Sequence, residues 1–260
     1  MRFQLPVLVA PVLLMLAFLP ALRAQANAPA PLEARRKALN ALFEEYWQAN
    51  LERSPEFASQ LGDMRYNDRI TDYSVKAENA WLAREQNFLM QLAAIDPTGF
   101  TDQEKISRDL LLRQFADDAE AAQFKTWELS LDQMSGIHTT FPQLVSQLNF
   151  TTVKDYDDWI ARLHAMPKAF EQVTTNLSIG IDDGRVPPKY LLEKALDQVK
   201  ELAHQKPEES PLAQPLKSFP ETVKPAEQER IKTEMLAAIA KEVLPAYLRF
   251  ARFLEVTYIP

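Results

Sequence analysis

The chain has 260 residues, with 36 acidic against 29 basic side chains for a net charge of −7, five glycines and no cysteine. The missing thiols exclude a disulfide scaffold, a cysteine nucleophile and a diacylated lipoprotein. The acidic balance, without any long basic patch, argues against nucleic acid as a partner.

Arg2 precedes an apolar run from Leu5 to Leu19, and Ala24, Gln25 and Ala26 form a small-x-small cleavage signal. Residues 1–26 therefore read as a secretory signal peptide, because the run is short and interrupted by Pro6, Pro11 and Pro20, unlike a membrane anchor. The expectation is a periplasmic or secreted protein that meets the membrane only during export. Residues 27–34 are an Ala/Pro spacer.

From residue 35 to 260 the apolar side chains recur at helical spacing, which predicts an all-α protein of antiparallel helical hairpins. Leu39, Leu42, Phe43, Tyr46 and Trp47 give the first face; Ser54 and Pro55 start a short helix that Leu61 and Gly62 end. Between Asp63 and Tyr73 no period is visible. This polar loop holds Arg65, Tyr66, Asp68 and Arg69 and is the first place to look for substrate contacts, although its arginines and aspartates can also pair with one another. Ser74 begins the helix of Trp81, Phe88 and Leu92. Thr101 and Glu104 match a capping box before a helix through Ile106, Leu110, Leu111 and Phe115. The pattern then fades from Lys125 to Phe150, apart from a short helix near Pro142–Leu148.

Two long amphipathic patterns meet between Thr152 and His204. Tyr156, Trp159, Ile160, Leu163, Phe170, Val173 and Leu177 form the core face of the first, and Asp155, Asp158 and Arg162 fall at its wetter positions. Pro167 should kink or divide that helix. The run Asp182–Pro188 turns the chain, and Leu192, Ala195 and Val199 begin the second arm of a hairpin. Residues 205–225, with five prolines, read as a surface excursion anchored by Phe219. Pro225 opens a last pattern through Ile231, Met235, Ile239, Val243, Tyr247 and Leu254. The ending Thr257–Pro260 lacks polar tapering, as if the chain were cut off.

Chemical motifs are scarce. His138, His164 and His204 are too dispersed for a two-histidine zinc helix, and there is no HExxH, no GxSxG elbow and no phosphate-binding glycine loop. Asp182 and Asp183 read as turn residues rather than a carboxylate pair. No catalytic residue and no metal ligand are assigned.

Leu61–Gly62, Tyr66–Ile70 and Asp72, the helix residues Tyr156, Trp159, Arg162 and Pro167, the turn Gly184–Pro188, and the ending Leu244–Tyr247 through Tyr258–Pro260, taken in that order, resemble the N-terminal half of the bacterial domain-of-unknown-function family DUF885. That resemblance implies an exported helical protein similar in architecture to zinc metallopeptidases, with the HExxH ligands in a C-terminal half that this sequence does not match. Zinc is then expected only for a full-length member. This chain becomes a non-catalytic wall of a substrate cleft, needing the C-terminal half or a separate partner subunit, with Arg65, Tyr66, Asp68 and Arg69 near a peptide substrate. It also implies that the stripes Tyr156–Phe170 and Ile231–Val243 wait for that partner. The alternative is a stand-alone helical peptide-binding or structural module. A partner carrying the zinc helix favours the first reading, and a stable monomer without it favours the second.

Overall fold

The computed structural model describes residues 30–259, so the signal-peptide expectation lies outside the described residues. Nine α-helices are present among them, and no strand: α1 (Leu32–Arg53), α2 (Pro55–Gln60), α3 (Val75–Ala93), α4 (Asp102–Ala121), α5 (Ile137–Val145), α6 (Val153–Asp182), α7 (Lys189–Ala203), α8 (Pro225–Ala238) and α9 (Leu244–Phe253). Their apolar faces close two cores. The smaller joins α1, α3 and α4 around Leu39, Leu42, Phe88, Leu92 and Phe115; the larger joins α5 to α9 around α6.

Local chemistry explains most helix starts. At α4 the Glu104 N–H donates to Thr101 Oγ1 at 3.3 Å and the Thr101 N–H to Glu104 Oε2 at 2.7 Å, the reciprocal box its sequence announces. Ser74 Oγ accepts from the Ala77 N–H at the start of α3. At α6 one carboxylate gathers the end of the helix. The Asp155 carboxylate does the capping, accepting the N–H groups of Thr151 and Thr152 at 2.9 and 2.7 Å, while the Thr152 hydroxyl lies 3.0 Å from the same oxygen.

Helix α6 runs undivided through Pro167. Its stripe from Tyr156 to Leu177 is buried, and so are Ile231, Met235 and Val243. The reading that these faces await a partner is thus corrected: α6, α8 and α9 cover one another. The sharp turn after α6 is present, with Gly184 at φ +70°, yet α7 packs chiefly on α9, and Lys200 Nζ reaches Glu255 Oε1 at 2.6 Å.

Pro245 is accommodated by a π-turn at Ile239–Val243, where the Leu244 N–H reaches back five residues to the Ile239 carbonyl. The wider turn lets the rod pass a residue that would clash in a regular helix. A second π-turn, Leu254–Tyr258, continues it. The proline-rich segment 205–225 is no mere excursion. Leu212, Ala213 and Val223 are buried, the Trp159 indole N–H donates to the Leu212 carbonyl at 3.0 Å, and the Phe219 ring packs at a tilt with its centre 5.1 Å from that of Tyr156.

Candidate functional site

Arg162 fixes the candidate loop. It sits three residues after Trp159 and one before Leu163, on the core face of α6, and is fully buried rather than solvated as its charge had suggested. Its Nε donates to the Arg69 carbonyl at 2.8 Å. Nη2 shares the Tyr66 carbonyl at 3.2 Å, the Pro55 carbonyl at 3.2 Å and the Ser59 hydroxyl at 2.7 Å. Among the described residues no carboxylate pairs with it directly, and burial pulls its pKa below the usual arginine range against the fields of Glu56, Asp158 and Asp68. A buried guanidinium is costly unless its donors are used; here Nε and Nη2 tie residues 55–69 to α6, while Nη1 is buried without a partner among the described residues.

The four sequence-predicted site residues lie on the outer side of that clamp. Arg65 is committed: it forks onto Asp63 at 2.6 and 2.9 Å and onto Gln48 at 2.6 Å. That pairing raises the Arg65 pKa and lowers that of Asp63. Tyr66 is half-buried between two guanidiniums, Arg65 at 5.3 Å and Arg69 at 5.5 Å from its ring centre. Arg69 holds Asp68 loosely at 3.8 Å, and both side chains are more than half exposed. The structure thus brings the four together, with Arg69 the cation least engaged.

Along the same loop opens a cleft of about 200 Å³, lined by Ser59, Gly62 and Asn67 on one side and by Gln147–Phe150 with the start of α6 on the other, and by none of the four. Asn67, Gln147 and Asn149 line it with amides, which both donate and accept. Asp158 is buried and receives Lys154 Nζ at 2.6 Å on each oxygen. Ser59 Oγ lies 2.6 Å from Asn67 Oδ1. Amide groups on an apolar floor of Phe150 and Trp159 suit a short stretch of peptide backbone, and Arg69 suits a carboxylate.

Sequence reasoning missed Arg162, Ser59, Asp158, Gln147 and Asn149 as parts of this site, whereas Asn67 falls in the loop it singled out. The available signal was positional, since Arg162 falls at the i+3 position after Trp159 on the apolar face.

The three histidines have separate local partners. His138 is buried with Nε2 3.0 Å from Gln198 Oε1, His164 Nδ1 is 2.9 Å from Glu242 Oε1, and His204 Nδ1 is 2.7 Å from the Lys200 carbonyl. Burial lowers the His138 pKa, so its ring is held neutral. Among the described residues no three His, Cys, Asp or Glu side chains converge to hold a metal ion, and no helix is long and apolar enough to cross a membrane.

Residues 55–260 match the model of a family described as "Bacterial protein of unknown function (DUF885)". A comparison with curated proteins gives no match. Among solved structures, the chain is similar to "the putative lipoprotein from Colwellia psychrerythraea", with a TM-score of 0.76 and 17% identity. That match covers 85% of this chain and 41% of the other, so this chain spans less than half the length of the protein it resembles.

Proposed function

The chain belongs to the DUF885 family of bacterial proteins, and from that premise we propose that residues 35–260 form a non-catalytic wall of the substrate cleft of a larger, exported, metal-dependent peptidase-like hydrolase. The observation that carries this reading is the Arg162 clamp, which commits a buried guanidinium to holding a surface loop rigid. Rigid presentation matters for recognition, because a loop ordered in advance does not lose entropy on binding. In this reading Arg69 takes a substrate carboxylate, Tyr66 contacts an apolar side chain, and Arg65 and Asp68 hold the two in place. The metal and the activated water belong to the C-terminal half. The partial span of the solved relative, and the envelope location its description implies for that protein, support the larger assembly and an exported setting.

The test joins the chain to the C-terminal portion of a full-length DUF885 protein and measures hydrolysis of short peptides with free C-terminal carboxylates. Hydrolysis by the joined protein, with Arg69→Ala raising KM and leaving kcat unchanged, supports the reading. Hydrolysis indifferent to Arg69, or none from the joined protein, rejects it. A second reading, a stand-alone peptide-binding module, is favoured by the way α6, α8 and α9 cover their own stripes. It expects the chain alone to bind such peptides at the same loop and to remain monomeric.

A further inference from the structure

A second cleft, of about 310 Å³, opens where α1, α3 and α4 diverge. Each helix sends one face into it: Tyr46, Asn50 and Arg53 at i, i+4 and i+7 from α1; Glu78, Trp81 and Glu85 from α3; Gln114 and Asp118 from α4. Trp127 and Lys125 close the rim. The basic groups are already spoken for. Arg53 pairs with Glu78 at 3.0 Å and lies 4.6 Å over the Trp81 ring, while Lys125 is held by Glu128 at 3.2 Å and by Asp183. Lys125 is also the one non-glycine residue at positive φ among the described residues, +45°, so its backbone is held in a sparsely populated conformation at that rim.

Glu85 and Asp118 remain. Neither forms an ion pair among the described residues, and Glu85 is only 8% exposed while lining the cleft. The Trp81 indole and Arg53 favour its charged form, but Arg53 is itself paired with Glu78. A largely buried side chain whose carboxylate reaches only the solvent of the cleft, with no ion pair of its own, is a place where a positively charged ligand gains.

We propose that this cleft binds a small organic cation bearing a primary ammonium group. The ammonium sits against Glu85 and Asp118, and its hydrocarbon body lies along Tyr46, Trp81 and Trp127. The aromatic walls add cation–π attraction and cover methylenes, which a bare metal ion would not use. The site is separate from the Arg162-clamped loop and does not rest on the peptide-cleft reading.

The probe is 1,4-diaminobutane, with 1,4-butanediol as its uncharged counterpart, added to the full chain and followed by calorimetry and by tryptophan fluorescence. The expected result is saturable binding of the diamine with a change in emission, roughly tenfold weaker in Glu85→Gln because one charge-assisted hydrogen bond is lost. Asp118→Asn added to Glu85→Gln weakens it further. An unfolding midpoint in Glu85→Gln no lower than the parent's shows that the loss is not a folding defect. The proposal is overturned if the diamine does not bind, if butanediol binds equally well, or if Glu85→Gln binds the diamine as the unmodified chain does.

Discussion

Helix α6 buries a nearly continuous stripe from Tyr156 to Leu177, whereas α4 in the N-terminal unit buries Phe115 and most of Arg108 and leaves Ile106 and Leu110 more than half exposed. The larger core is held by apolar area, at roughly 1.5–3 kcal/mol for each large side chain removed from water. The smaller one relies on an aromatic knot, in which Tyr46 meets Phe115 edge-on at 4.9 Å and Phe88 at 5.5 Å. Arg108 fills space beside it and donates to the Ile95 carbonyl at 3.2 Å. The difference teaches that the N-terminal unit draws much of its order from its joints with α6, and those joints are polar: Arg162 to residues 55–69, Gln172 to the Tyr73 N–H, and Asn176 to the Tyr73 carbonyl.

The largest effect should come from cutting the principal joint. Arg162→Met removes four charge-assisted hydrogen bonds, each worth roughly 1.5–3 kcal/mol, although the Tyr66 and Pro55 carbonyls keep the Arg69 N–H and the Ser59 hydroxyl. Some of that is offset by no longer burying a charge, so a net loss of about 3 kcal/mol is expected in urea denaturation. Amide exchange should accelerate in residues 59–71 while α8 and α9 stay protected. A variant as stable as the parent, with the loop still protected, would show that the two regions are not coupled through this side chain.

The second joint is steric. A Cβ on Gly180 would lie 2.7 Å from the Glu128 carbonyl oxygen and 2.8 Å from that of Arg185, both backbone atoms that cannot swing aside. Gly180→Ala should therefore cost about 1–3 kcal/mol and part the 126–129 segment from α6. The buried Glu128, bridged by Lys125 and Arg185, should become exchange-labile in the same variant. Loss below the error of denaturation would mean that this contact yields easily.

What was legible in the sequence was local. The Thr101–Glu104 box and the Ser74 cap lie within three residues of their partners, and the period of α6 is written in its own side chains. The joints are not local: Arg162 reaches Tyr66 across 96 residues, and Trp159 reaches Leu212 across 53. No spacing rule encodes such pairs, so Arg162 read as a wet position and the proline-rich segment as an excursion. The loop at Arg65–Arg69 could be singled out because it broke the helical period, but the amides of Gln147 and Asn149 come from another stretch that had no pattern to mark it. Ile106 and Leu110 show the opposite failure, an apolar pattern whose helix turned its other face inward.

A smaller effect separates the regions by pH. Burial pushes the Asp155 carboxyl up, but the N–H groups of Thr151 and Thr152 outweigh it and hold the pKa below 3.8. A depressed carboxylate contributes stability that is present above its unfolded pKa of about 3.8 and lost as pH falls through the lower folded value. Asp155→Ala should cost about 1 kcal/mol at pH 7, the ordinary worth of a cap, and that difference should vanish in strong acid. A penalty that persisted below pH 2 would assign the effect to packing at the start of α6 instead.

The smallest effect has the opposite sign and belongs to the N-terminal unit. Burial raises the Glu85 pKa above 4.5; the Trp81 indole and Arg53 pull it down, while Asp118 and Glu78 push it further up, and the net shift is upward. The folded state therefore binds a proton that the unfolded state has already released, and stability falls as pH rises from about 4.5 through the folded value. Glu85→Gln keeps the shape and has no proton to lose. It should match the parent near pH 4 and exceed it at pH 7 by less than about 1 kcal/mol, since the carboxylate oxygens still reach the solvent of the cleft. Thermal unfolding of the two proteins at both pH values, with no diamine present, is the measurement. A variant less stable than the parent at pH 7 would mean that the Glu85 charge supports the three-helix unit, and the contrast between a core held by area and a unit that tolerates unpaired charge at its open end would then fail.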